Sequence, residues 1–217
     1  MAHLFQIAQT NCVLVTPSMV PGVVNAPAIL KEIGTPTQTV QLPELQLATY
    51  GDGLQITYLE VGPQRCNLTV TQGGEGGLSA RWERVARLAC QHAAREQPLL
   101  GFGFNFACGC ALPRGQAAPY LKSLLDREML DRLRAAKIRP ETAGMKIFYL
   151  WGSWRVTLAI DPDVGNAEQL IANANFHREN PKRNTIARLV SDYGRAQEAL
   201  KDVLSRVLPE EADDDTN

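Results

Sequence analysis

Gly101-Phe102-Gly103-Phe104-Asn105-Phe106-Ala107-Cys108-Gly109-Cys110 alternates without a break. Phe102, Phe104, Phe106, Cys108 and Cys110 fall on one side of an extended chain. Gly101, Gly103, Asn105, Ala107 and Gly109 fall on the other. A period of two marks a β-strand, here with a large apolar face and a nearly bare one. The phenylalanine face should be the core side. The bare face should be either tightly covered by a helix or left open beside a cleft, with Asn105 as its lone polar residue.

On the N-terminal side of this strand, Trp82, Val85, Ala86, Ala89, Cys90 and Ala93 recur at helical spacing. Ser79 is a suitable N-cap and Pro98 a stop, so a helix is predicted to about Glu96. Its small residues make it the candidate to approach the bare face closely. On the other side, a second helix is predicted over Tyr120–Lys137, opened by Pro119 and closed by Pro140, with Tyr120, Leu121, Leu124, Leu125, Leu130 and Leu133 as its stripe. A third runs over Thr185–Leu208, capped by Asn184, with Ile186, Leu189, Val190, Tyr193, Ala196, Leu200, Val203, Leu204 and Val207 on one stripe.

Strand signals are plentiful. Leu54–Glu60 and Cys66–Val70 flank the turn at Gly62-Pro63-Gln64. Met145–Leu150 and Trp154–Ile160 flank Gly152-Ser153, a glycine-first pair suited to a type II′ turn. Cys12–Val15 and Leu170–Phe176 read as further strands. Pro17, Pro21, Pro27, Pro36 and Pro43 punctuate residues 1–50, predicting an irregular region with edge strands at Thr37–Gln41 and Leu45–Thr49. Asn25 is the expected N-cap of a short helix over Ala28–Ile33, stopped by Gly34. The glycine cluster Gly73-Gly74-Glu75-Gly76-Gly77 reads as a surface loop, since it lacks the Lys-Ser/Thr pair of a phosphate-binding loop.

These elements predict a single α+β domain over residues 1–208. Its mainly antiparallel sheet is built from two hairpins plus further strands, with three main helices largely on one face. The strands around Asn105-Phe106 and Asn175-Phe176 both carry an Asn-Phe pair, which suggests an internal duplication or a coincidence.

The chain has 217 residues, 45% hydrophobic and 21% charged, ordinary values for a soluble globular protein. Net charge is −1, but five of the 23 acids are Glu210, Glu211, Asp213, Asp214 and Asp215, so residues 209–217 read as a disordered acidic tail. The remaining 18 acids face 22 basic residues, a mild excess that gives no clustered basic footprint, and nucleic acid is not an expected partner. No apolar run approaches a membrane span, and Met1–Gln6 lacks the pattern of a signal peptide, so a cytoplasmic location is expected. Cys12, Cys66, Cys90, Cys108 and Cys110 then read as free thiols.

Sites of chemistry are sparse. Cys108 and Cys110 share a strand face, but no second Cys/His pair at zinc spacing accompanies them, so they read as an extension of the apolar face. No catalytic residue, metal site or cofactor is assigned. Asn173, Asn175 and His177 share one face of a predicted strand, and with Asn105 they are the candidates to line a ligand pocket between sheet and helices. Tyr149, Trp151 and Trp154 cluster with Phe148 at the tight hairpin; if exposed, the first three are the candidate interface anchors, and if buried, the cluster caps the core under the C-terminal helix. The favoured expectation is a non-catalytic binding or assembly protein acting through protein contacts or self-association. The alternative is the small-molecule or enzymatic pocket.

Overall fold

Phe104 lies opposite Cys12 on one neighbouring strand and opposite Phe176 on the other. From this register the whole sheet can be laid out. The computed structural model describes residues 5–51, 53–73, 80–95, 97–112, 117–137 and 142–208. Nine antiparallel strands form one open sheet: β1 (Phe5–Thr16), β2 (Gln38–Leu42), β3 (Leu45–Thr49), β4 (Leu54–Gly62), β5 (Arg65–Gly73), β6 (Gly101–Ala111), β7 (Met145–Trp151), β8 (Trp154–Pro162) and β9 (Gln169–Glu179). Their order across the sheet is β2-β3-β4-β5-β1-β6-β9-β8-β7. Six α-helices are described: α1 (Pro27–Ile33), α2 (Ala80–Ala93), α3 (Ala117–Ser123), α4 (Arg127–Ala135), α5 (Ile186–Ser191) and α6 (Tyr193–Val207). The α+β class is therefore as expected. Among the described residues, no helix is long and apolar enough to cross a membrane.

The alternating strand is β6, near the middle of the sheet. Its phenylalanine face is the core side. Phe102, Phe104 and Phe106 are all but fully buried. Phe104 packs on Trp154 at 5.4 Å and on Tyr193 of α6 at 5.4 Å, and Phe106 meets Phe176 at 5.6 Å, edge to face. Offset and edge-on arrangements place positive ring edges against negative ring faces, adding about 0.5–1.5 kcal/mol per pair to area burial. Cys108 and Cys110 continue this face and are buried free thiols.

Helix α2 buries the stripe expected of it, Trp82, Val85, Ala86, Ala89, Cys90 and Ala93, all at 0% exposure. It does so on the phenylalanine side, not over the bare face. Trp82 donates its indole N–H to the Val70 carbonyl at 3.3 Å and packs on Tyr193 at 4.9 Å; Cys90 Sγ lies 3.7 Å from Cys12 Sγ. The reason is that Cys12, Val70 and Phe104 bring apolar side chains of three neighbouring strands to one face. A helix gains more from that surface than from glycine backbone.

Several boundaries differ from expectation. The long second helix is two short ones, because Asp126 takes the N-cap of α4 and accepts the Glu128 N–H at 3.0 Å. An aspartate within a helical pattern competes for the backbone and favours a new start. Helix α4 buries none of its residues, so the leucine stripe continues in sequence but not in packing. The C-terminal helix breaks at Asp192, yet Leu189, Val190, Tyr193, Ala196, Leu200 and Leu204 all remain buried across the break. Helix α1 starts at Pro27 with Ala26, not Asn25, at the N-cap; proline's fixed φ and missing N–H suit the first turn. The Leu45–Thr49 strand is not an edge, since β3 is paired on both sides, with β2 and β4. Ser79, most of the glycine cluster and the acidic tail lie outside the described residues.

Burial pushes the Cys108 thiol up to about 12 and the Cys110 thiol up to about 11, with Cys110 adding to the effect at Cys108. In the unfolded chain these thiols ionise near their usual 9, so above that pH the unfolded state holds fewer protons than the folded one. Stability should therefore fall as pH rises through the window from about 9 to about 12. Urea midpoints measured across pH 8 to 11 should drop above about pH 9, and more shallowly in Cys108→Ala than in the parent chain.

Candidate functional site

The second face of the sheet is built by the other parity of every strand. One row of side chains crosses the sheet as Thr71, Asn11, Asn105, Asn175, Thr157 and Phe148, on β5, β1, β6, β9, β8 and β7. Two residues along, a parallel row runs Val13, Gly103, His177, Arg155 and Leu150. On the other side lies the row Gln9, Ala107, Asn173, Ala159 and Lys146. Neighbouring strands are about 4.8 Å apart, so the span from Asn11 to Phe148 is about 19 Å.

Asn105, Asn173, Asn175 and His177 thus share one surface, but not in a pocket between sheet and helices. Two shallow troughs mark this face, of about 410 and about 450 Å³, and they share Thr157 and Asn175. Every residue lining them belongs to a strand. The expected location is corrected by parity: Asn105 alternates with Phe104 and Phe106, and the helices pack on the phenylalanines. A side chain of the opposite parity must point away from them.

The three asparagines form a ladder. Asn105 donates its amide N–H to Asn11 Oδ1 at 2.7 Å, and Asn175 donates to Asn105 Oδ1. All the donated protons run one way. Asn11 keeps both amide protons available at one end, and Asn175 keeps its carbonyl oxygen available at the other. The row therefore presents a donor and an acceptor at fixed separation. Beside it, Phe148 is 71% exposed and Leu150 75% exposed on β7. The Lys146 ammonium lies 5.3 Å from the Phe148 ring centroid, a cation–π contact. Arg155 pairs with Glu179 at 3.1 Å, both well exposed.

The glycines of β6 explain the bareness of this face. A Cβ on Gly103 would stand 2.5 Å from the Phe176 carbonyl oxygen, and one on Gly101 would stand 3.0 Å from the His177 ring. The missing side chains let β9 and its imidazole lie close over β6.

The aromatic cluster at the β7–β8 turn faces the core. Trp154 is 3% exposed and packs on Phe102 at 6.0 Å; Trp151 packs edge-on against Phe176 at 5.7 Å. Tyr149 is half-buried on the same side, and burial raises its phenol above the usual range. The exposed apolar pair is Phe148 and Leu150, the alternate residues of the same strand. Sequence reasoning grouped Phe148 with the other aromatics and missed Leu150, because Ile147-Phe148-Tyr149-Leu150-Trp151 is apolar at every position and hides its two faces. It also missed Asn11, Lys146 and Arg155, whose place follows only from the strand register.

No family model and no curated protein matches the chain. A solved structure, the rolling circle replication initiator protein from Geobacillus stearothermophilus, is 9% identical, covers 98% of this chain and 90% of its own, and has a TM-score of 0.29. Two expectations do not fit this neighbour's name, and neither is taken further. One is a non-catalytic protein acting through protein contacts; the other is the exclusion of nucleic acid as a partner. A likeness at this TM-score assigns nothing in their place.

The glycine face makes a prediction of its own. Gly103→Ala should cost about 1–3 kcal/mol, since the clash is with backbone. Gly109→Ala meets only the amide end of Gln169, which can swing away, and should stay within about 1 kcal/mol of the parent. Urea denaturation of the two variants, side by side, checks the contrast.

Proposed function

We propose that the helix-free face of the sheet binds single-stranded nucleic acid. The observation that carries this reading is the cross-strand row Asn11–Asn105–Asn175–Thr157–Phe148, which sets an oriented amide ladder beside an exposed aromatic ring on one open surface. The bases of one strand offer π-faces, one of which stacks on Phe148, and edges of donors and acceptors, which other bases of the same strand present to the free ends of the ladder. Lys146 and Arg155 flank the ring and supply cations for the backbone phosphates. An open trough bounded by strands admits a polymer that enters and leaves; a duplex is too wide and too regular to lay its base edges there.

The same sheet supports a finer reading of the fold. Strands β3-β4-β5-β1 and β7-β8-β9-β6 follow each other in mirrored order on either side of the β1–β6 pair. In chain order each half runs strand, helical segment, three strands, helix, with β2 as an addition to the first. We read the chain as a duplication of this unit, with Asn11 and Asn105 paired where the halves meet. On this reading β1 corresponds to β6.

Fluorescence anisotropy with a labelled 12-nucleotide dT strand and its RNA counterpart tests the binding face. Binding is expected at low salt, weakening as salt rises because phosphate contacts release counterions. Phe148→Ala should cost about 1–3 kcal/mol of binding energy, the usual worth of one base–aromatic stack. Absence of binding to either strand at low salt, or full affinity in both Phe148→Ala and Asn105→Ala, would remove the proposal.

A further inference from the structure

A second cleft, of about 350 Å³, opens at one end of the sheet on the helix side. It lies between the β7–β8 turn and helices α5 and α6, and its charged lining is Arg178, Arg188, Arg195 and Asp192. The amide face does not include it. Arg178 follows His177 on β9 and therefore points to the opposite side of the sheet. We propose that this cleft binds a phosphoryl group, as a phosphate monoester or free phosphate. This inference stands apart from the proposed nucleic-acid face and does not need it.

Three arginines in one cleft repel one another, and a protein usually relieves this with carboxylates. Among the described residues, Asp192 is the one carboxylate in the lining, and it is 3.3 Å from Arg195. Among the described residues, neither Arg178 nor Arg188 has an ion pair or side-chain hydrogen bond. By contrast the nearby Arg183 is fully employed. Its guanidinium donates to the carbonyls of Gln97 and Arg95, both at 2.9 Å, and ties the segment after β9 to the end of α2. Arg195 is held from another side, with its guanidinium carbon 5.6 Å from the Trp151 ring. Among the described residues the cleft thus has one positioned guanidinium, two without partners and a net excess of two positive charges.

The chemistry of the occupant follows. Guanidinium forks match planar or tetrahedral oxyanions by paired N–H donation. A phosphate monoester carries three terminal oxygens and a charge between about −1.5 and −2, which balances the excess; a carboxylate carries half that charge and two oxygens. Ser153 adds a hydroxyl donor to the same lining, whereas the Thr185 hydroxyl donates to the Lys182 carbonyl at 2.6 Å.

Calorimetry with inorganic phosphate, and anisotropy with 5′-phosphorylated and 5′-hydroxyl dT12, test the site in the full chain. The variants are Arg178→Gln and Arg188→Gln, singly and together, each checked by its thermal melt. Both positions are partly or fully exposed, so the fold should persist. Saturable phosphate binding that weakens about tenfold or more in the double variant supports a site for the free ion. A 5′-phosphate that tightens strand binding in the parent but not in the double variant supports a strand terminus as the source. If neither phosphate nor the 5′-phosphate has an effect in the parent, or if both effects survive in the double variant, the inference is overturned. The 5′-hydroxyl strand reads the amide face alone, so its behaviour separates failure of that face from failure of this cleft.

Discussion

The register that sets Phe104 between Cys12 and Phe176 is the constraint on which the rest depends. A strand has a side-chain period of two, so a slip of one residue between β1, β6 and β9 would exchange the two faces. The asparagine ladder would then enter the core, and the phenylalanines would meet water. Each phenylalanine is nearly fully buried, so the cost of such a slip is several large apolar side chains at about 1.5–3 kcal/mol each. The same energy that holds the core in place thereby holds Asn11, Asn105 and Asn175 in one line.

Layering follows from that division. Helices gather where the sheet offers apolar area, so α2 and α6 share Trp82, Phe104 and Tyr193 in one aromatic contact network. The opposite face lacks the area to hold a helix. It keeps short polar side chains, glycines and, toward one edge, Phe148 and Leu150. Backbone polar groups are satisfied within the sheet by ladder pairing, so the open face needs no cover for that purpose. The face proposed to bind is thus the layer that folding left unused. The arginine cleft has a different origin: it lies at the end of the sheet, where β9 runs out into α5 and the packed layers part.

Much of this was legible in the residues themselves. The alternation in Gly101–Cys110 identified the central strand and assigned its two faces. The stripes in Trp82–Ala93 and Ile186–Val207 named the buried residues of those helices, although Val203 and Val207 turn out only partly buried. What misled was equally local. Asp126 broke a helix that its leucines suggested was continuous, because a cap competes with a stripe. Met145–Trp151 concealed its exposed half because every residue except Lys146 is apolar. The Asn-Phe pairs drew attention to β6 and β9, which lie side by side in the sheet.

By itself the sequence determined which side chains share a face, since the periods 2 and 3.6 are properties of the local backbone. It determined that Asn105 stands opposite the phenylalanines, and that Asn173, Asn175 and His177 stand together. Only the tertiary structure decided which face the helices cover, and therefore that these residues look outward from an open sheet and not into a pocket. It also decided that Asn11, 94 positions from Asn105, completes the ladder, and that Arg178, Arg188 and Arg195 line one cleft. The reason is that strand order and register are fixed by burial summed over the whole sheet, a quantity that no single segment carries.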